Sequence, residues 1–292
     1  MAPVRPKAPK PAKGANKVPQ LFVISERAID TGLVVEQADS AELAMYRALF
    51  EKLGLAWHCC SIHGSSEDET RSFLLQSDWL AVHFPACAAD SSKALAAEVA
   101  TIKAASVKLT GGANMLFRKN EQVLALNTEG LACVRSLQRE GNAFTGAHVV
   151  VQGGGVVALA CLAAAAQAGA ARVALIGADH DQAKEELLGF IERYKELAYA
   201  TLDLEPAHAG DRSFRAAYED PTYVYGSLAR STNEITAADI CIDVADMANK
   251  SRGMAVAQAV ENASVLLSAH AIENPLDPEE LYTLIYEAAG PC

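Results

Sequence analysis

The sequence has no Cys-x-x-Cys pair and no His-Glu-x-x-His segment, the spacings that bring several thiolates or imidazoles onto one metal ion. Its seven cysteines, Cys59, Cys60, Cys87, Cys133, Cys161, Cys241 and Cys292, are odd in number, and several sit within apolar runs. That pattern argues against a zinc site and against a disulfide framework, and it fits a reduced, cytoplasmic chain. An uninterrupted apolar run of about eighteen residues, free of charge and glycine, is also missing, so no membrane span is expected. Positive charge is in short supply: 25 Lys and Arg stand against 36 Asp and Glu, a formal net charge of −11. Phosphate-rich partners need clustered cations, so neither nucleic acid nor an anionic membrane is expected to bind. The one basic cluster, MAPVRPKAPKPAKGANK at the start, alternates Pro, Ala and Lys without apolar periodicity. Residues 1–19 therefore read as a disordered tail, without the apolar core of a secretory signal.

Hydrophobic residues make up 51% of the 292, enough for a sizeable core and for two domains. Short apolar runs at 21–24, 33–35, 56–62 and 79–84 read as strands, the last ended by Pro85. Residues 41–53 carry Leu43, Ala44, Leu49, Phe50 and Leu53 at helical spacing, with Gly54 as the stop and Ser40 available as a cap. Residues 66–75 and 93–105 read as further helices, and 116–126 as a hairpin around a polar turn. Later come a helix at 181–199, a short strand at 200–204, a poorly periodic stretch at 206–232 and a strand at 240–244. Helices at 254–270 and 277–289 close the chain.

The most informative stretch is AHVVVQGGGVVALA, residues 147–160. An apolar strand runs into Gly153, Gly154 and Gly155, then into an alanine-rich helix, and a second apolar run follows at 172–177. Glycines at such a turn let backbone N–H groups approach a pyrophosphate at the N-terminus of the helix. The pattern Gly153-x-Gly155-x-x-Ala158 is an allowed form of the dinucleotide fingerprint, and Val156 would stand at the first helical turn. A tight turn that binds no nucleotide has the same appearance.

Upstream, residues 111–130 read GGANMLFRKNEQVLALNTEG. With the glycine turn after it, this segment resembles the shikimate dehydrogenase family, which includes quinate dehydrogenases. Gly111-Gly112-Ala113-Asn114-Met115 stands for the family's G-A-V-N-T, and Asn127-Thr128-Glu129-Gly130 for its N-T-D-G. Gly253-Met254 and Gln258-Ala259 resemble its G-x-x-M-L-x-x-Q-A segment. The resemblance implies a substrate domain and a cofactor domain with an alicyclic hydroxy acid between them, and hydride transfer to or from a nicotinamide assisted by a Lys–Asp pair. A hydroxyl that loses hydride must also lose a proton, and an amine beside a carboxylate is a tunable base for it. On that alignment Asn114 and Gln258 bind substrate, Glu129 replaces the catalytic Asp, and Thr128 and Asn127 also suit the cap of the following helix.

The sequence departs from the family in four places. The motif N-V-T-I-P-x-K is best matched by Ala81-Val82-His83-Phe84-Pro85-Ala86-Cys87, which puts Cys87 where the lysine belongs; counting back from Asn114 instead lands on Lys93. The first serine of the family's carboxylate-binding S-x-S aligns with Ser40, and the second with Glu42, which would repel a substrate carboxylate. The tyrosine expected after the strand carrying Asp243 is replaced by a residue of Val244-Ala245-Asp246. The arginine that binds a 2′-phosphate in NADP-preferring members is absent from Gly177-Ala178-Asp179, so NAD is favoured over NADP, with Asp179 either on a ribose hydroxyl or capping the next helix.

The expectation is an α/β chain of two domains: a substrate-binding α/β domain at 20–118 with 262–292 packing back on it, and a Rossmann-like parallel-sheet nucleotide-binding domain at 119–261. Lys93 and Glu129 are the expected catalytic pair; Ser40, Asn114 and Gln258 the substrate contacts; Gly153, Gly154, Gly155, Val156 and Asp179 the cofactor contacts; no metal is expected. The function is either NAD(P)-linked hydride transfer on a shikimate- or quinate-type acid with an eroded active site, or that of a catalytically inactive relative that senses a ligand or regulates. Partners are a small hydroxy acid and either a second copy of the chain or a regulatory protein. A third class, an acidic module binding no nucleotide at all, requires a blocked glycine turn, for example by Gln152 or Val156.

Overall fold

The structure is a computed structural model that describes residues 20–25, 34–36, 41–63, 66–76, 78–177, 180–203, 222–227, 236–250 and 252–290. Ser40 and Asp179, singled out above, lie outside the described residues, as does Leu204.

The first half builds a seven-stranded mixed sheet from β1 (Gln20–Ser25), β2 (Val34–Glu36), β3 (His58–His63), β4 (Ala81–His83), β5 (Ile102–Lys103), β6 (Met115–Lys119) and β7 (Gln122–Leu126), in the order β2-β3-β1-β4-β6-β7-β5. Side chains alternate across it with the period-two rule of extended chain. Phe22, Ile24, Met115 and Phe117 face one side, where α1 (Ala41–Lys52) brings Leu43, Tyr46, Leu49 and Phe50. Val23, Val82 and Leu116 face the other, packed with Phe73 and Leu74 of α2 (Glu67–Gln76) and Leu95 of α3 (Asp90–Val99). The helix expected at 93–105 is two helices, α3 and α4 (Ala105–Thr110), separated by β5. The chain leaves the helix because Thr101 N–H bonds to Val123 O at 2.9 Å and Thr101 Oγ1 accepts from Val123 N–H at 2.9 Å, which adds an edge strand beside β7.

The second sheet is four parallel strands, β8 (His148–Gln152), β9 (Arg172–Gly177), β10 (Thr222–Ser227) and β11 (Ile240–Asp243), in the order β10-β9-β8-β11. Parallel strands are covered on both faces, so β8 is apolar without alternation and Val149, Val150 and Val151 are all inaccessible to solvent. α5 (Glu129–Arg139), α6 (Gly155–Gln167) and α7 (His180–Asp203) follow β7, β8 and β9. Residues 200–203 continue α7, so the strand expected at 200–204 is not there; the parallel partner of β9 is instead β10, inside the stretch read as poorly periodic. TYVYGS is rich in β-branched and aromatic residues, but one glycine and six residues give little alternation to read.

The chain ends with α8 (Val244–Lys250), α9 (Arg252–Ala269) and α10 (Pro278–Ala288). α10 starts on a full capping box, Asp277 accepting from Glu279 and Glu280 N–H while Glu280 accepts from Asp277 N–H. Val256, Leu266, Leu281 and Ile285 of these helices share the core beneath α1. No helix among the described residues is long and apolar enough to cross a membrane.

Candidate functional site

β4 ends in Phe84, whose N–H bonds to Asn114 O at 2.8 Å, and Pro85 then turns the chain. The turn closes with Ala88 N–H on Pro85 O at 2.8 Å, and α3 begins directly after it. Lys93 therefore sits in the first turn of α3. Its carbonyl accepts from Ala113 N–H at 2.9 Å, which ties it to the Gly112-Ala113-Asn114 segment. Its side chain is wholly buried, and Nζ donates to Glu129 Oε1 at 2.5 Å and to Ala86 O at 3.0 Å. Cys87, the rival in the motif, is exposed. An ammonium offers three donors, so one remains without a partner among the described residues.

Glu129 opens α5 and is also wholly buried. Burial raises its carboxyl above the ordinary range; Lys93 and Asn127 oppose the rise, and the charge of Asp90 adds to it. Asn127 straddles the helix start, accepting from Glu129 N–H at 3.1 Å and donating to Gly112 O at 3.2 Å and to Glu129 Oε2 at 3.4 Å. The cap expected from both Asn127 and Thr128 falls to Asn127 alone: Thr128 makes no side-chain cap bond. Its hydroxyl donates instead to Asn262 Oδ1 at 2.7 Å. Gly130 is glycine for a steric reason, since a Cβ there would lie 1.9 Å from Ala160 O of α6.

Asn114 is fully buried. Its Oδ1 accepts from Thr128 N–H at 2.7 Å and its Nδ2 donates to Thr128 Oγ1 at 3.0 Å. Asn262 passes the chain of bonds on to Tyr46 OH at 3.1 Å, and Tyr46 OH stands 3.5 Å from His83 Nδ1. Gln258 lies one turn before Asn262 on α9, hence on the same face. His83 and Gln258 are each 3% exposed and lie within hydrogen-bonding reach of one another, while Gln258 Nε2 has no partner of its own among the described residues. Burial first, then the charge of Lys93, push the His83 imidazole down to about 3, with Gln258 acting the other way. A buried amide nitrogen without a partner is rare. His83 was legible in the sequence only as the residue two before Pro85, in the position of the motif's threonine.

The glycine turn adjoins this group: Val156, just past it, packs toward Gly112, and Asp90, three residues before Lys93 on α3, reaches Gly155. Gly153 and Gly155 have φ of 133° and 76°, which demand glycine. Val244 of α8 packs on Gly153, a Cβ there falling 3.0 Å from Val244 Cβ. Neither residue expected to block the turn does so. Gln152 donates to Cys241 Sγ at 2.6 Å, and Val156 packs into the space a Gly112 side chain would fill. Two carboxylates from elsewhere stand there instead. Glu186 of α7 accepts from Gly155 N–H through Oε2 at 3.0 Å and from Gln182 Nε2 through Oε1 at 3.0 Å. Both of its oxygens lie 3.1 Å from the Cβ that Gly154 lacks, and Asp90 Oδ2 lies 1.9 Å from the one that Gly155 lacks.

This arrangement, a mixed sheet and a parallel sheet joined through α5, α6 and α9, matches solved structures over most of its length. The 5-ketofructose reductase of a Gluconobacter species, in its ligand-free form, superposes with a TM-score of 0.57 over 86% of this chain and 94% of its own, at 16% identity. The shikimate 5-dehydrogenase of Listeria monocytogenes in complex with shikimate and NAD gives 0.57 over 84% and 92%, at 14% identity. The fold is that of the shikimate dehydrogenases. The enzyme of Thermus thermophilus in complex with NADP(H) and shikimate shares the shikimate dehydrogenase fold with a TM-score of 0.51 over 86% and 95%, at 12% identity. No protein-family model and no curated protein matches the sequence.

Proposed function

We propose that the chain binds a small polyhydroxylated compound, of the shikimate or quinate type or a neutral ketone relative, and relays a proton between one of its oxygens and the Lys93–Glu129 pair. The observation that carries this reading is the buried Lys93 Nζ–Glu129 Oε1 contact of 2.5 Å with one N–H to spare. With Lys93 as the neutral amine, the third position on Nζ is a lone pair that can take a hydroxyl's proton as the carbon beneath it gives up hydride to the acceptor that the fold implies. With Lys93 as the ammonium, that position is the spare N–H that returns the proton to a carbonyl oxygen, Glu129 balancing the charge in both directions. Asn114 supports this wall through Thr128. Gln258 and His83, within hydrogen-bonding reach of each other, would take a second oxygen through Gln258 Nε2, with His83 as a neutral imidazole.

Glu42 opens α1, close enough that its charge acts on Tyr46. In the alignment Glu42 takes the place of the second carboxylate-binding serine, where it would repel a ligand carboxylate, which favours a neutral polyol or ketone over an acid. The 5-ketofructose reductase shows that this fold also serves a ketose.

The fold implies a nicotinamide dinucleotide as hydride partner. The residues at the glycine turn do not fit one as they stand, because Glu186 and Asp90 take the place of its phosphates. That observation favours a second reading, a ligand sensor without catalysis. The two separate by thermal melting with shikimate, quinate and 5-ketofructose, alone and with NAD or NADP, followed by an absorbance assay. A ligand that binds only the folded state raises the melting temperature. The first reading expects a shift with at least one of these compounds and turnover that falls by about 10²-fold or more in Lys93→Ala. A shift without turnover supports the sensor, and no shift at millimolar ligand overturns both.

A further inference from the structure

We propose that Glu186, with Asp90 beside it, is an internal anion that occupies the phosphate position at the N-terminus of α6, so that a dinucleotide enters only by displacing it. Free N–H groups at the start of a helix attract anions. Here the first of them, Gly155 N–H, already has a carboxylate at 3.0 Å, held on its other oxygen by Gln182. The close backbone approach that Gly154 and Gly155 permit is used by carboxylate oxygens, at 3.1 Å and 1.9 Å from the missing side chains. A pyrophosphate would have to lie within contact distance of both Glu186 and Asp90, like charge on like charge.

Both groups are side chains at the surface, Asp90 exposed and Glu186 half-buried, so the contact is displaceable rather than permanent. Asp90 reaches the turn because it opens α3, three residues before Lys93. The inference concerns the nucleotide half and does not rest on the ligand proposed for the other half.

The test is calorimetric titration of NAD, NADP and inorganic pyrophosphate into the full chain and into Glu186→Gln, Glu186→Ala, Asp90→Asn and the Glu186→Gln/Asp90→Asn double variant. Glu185→Gln, an exposed neighbour on α7, controls for net charge. The expected result is millimolar or weaker binding of NAD and NADP by the unaltered chain, at least about tenfold tighter binding in the double variant, and no change in Glu185→Gln. Micromolar binding by the unaltered chain overturns the proposal. So does a double variant that binds no better, or a gain in Glu185→Gln equal to that in Glu186→Gln. Melting with the hydroxy compounds alone reads the other half independently, so the two proposals fail separately.

Discussion

Lys93 and Glu129 are tolerated in the interior only as a pair. Removing one partner leaves an uncompensated buried charge, which typically destabilises by about 3–5 kcal/mol. Lys93→Met should lose that much in urea unfolding near neutral pH, and Lys93→Met/Glu129→Gln should recover most of it. The pH dependence has a definite sign. Glu129 has a raised carboxyl, so its neutral form suits the fold: the Lys93→Met deficit should be smallest in acid and grow as pH rises through the folded value. His83 works the other way. Its folded value of about 3 lies below the ordinary 6.5, so the unfolded chain takes up the proton first. The stability it contributes is full above about pH 6.5 and is lost as pH falls toward 3. His83→Gln should flatten that acid limb. At this scale the sequence held the lysine through its interval to Asn114, although the nearer motif pointed to Cys87. It did not reveal Glu186: its partner is 31 residues away, and a glutamate on a charged helix reads as solvated.

The start of α5 shows how one element positions the chemistry. Asn127 caps it, Thr128 leads away to α9, Glu129 turns inward and Gly130 lets α6 pass. In Gly130→Ala the new methyl would have to push back the Ala160 carbonyl, a backbone atom with no rotamer to escape into. The expected loss is at least about 2 kcal/mol in chemical denaturation, with the Lys93–Glu129 contact displaced along with α5. The motif that carries these residues was legible because all four are local. β5 and β10 were not: each is short, and each exists because a neighbouring strand offers it hydrogen bonds, which periodicity cannot register.

Across the whole molecule, a buried polar path runs from Lys93 and Glu129 through Asn127 to the Gly112 segment, and another from Asn114 through Thr128 and Asn262 to Tyr46 and His83. The second crosses between residues 216 positions apart in the chain, Tyr46 and Asn262, so no local pattern could announce it. It links α9 to the first sheet where His83 and Gln258 meet. The protein thus places a buried Lys93–Glu129 pair beside a glycine turn occupied by carboxylates, the two joined through α3, which carries both Lys93 and Asp90. The most direct test of the pair is calorimetric titration of shikimate, quinate and 5-ketofructose into the unaltered chain, Cys87→Ser and Lys93→Met/Glu129→Gln. The account predicts that a compound bound by the unaltered chain binds Cys87→Ser equally well and the double variant at least about tenfold more weakly, roughly 1.4 kcal/mol. Equal binding by the double variant, or loss of binding in Cys87→Ser, would contradict it.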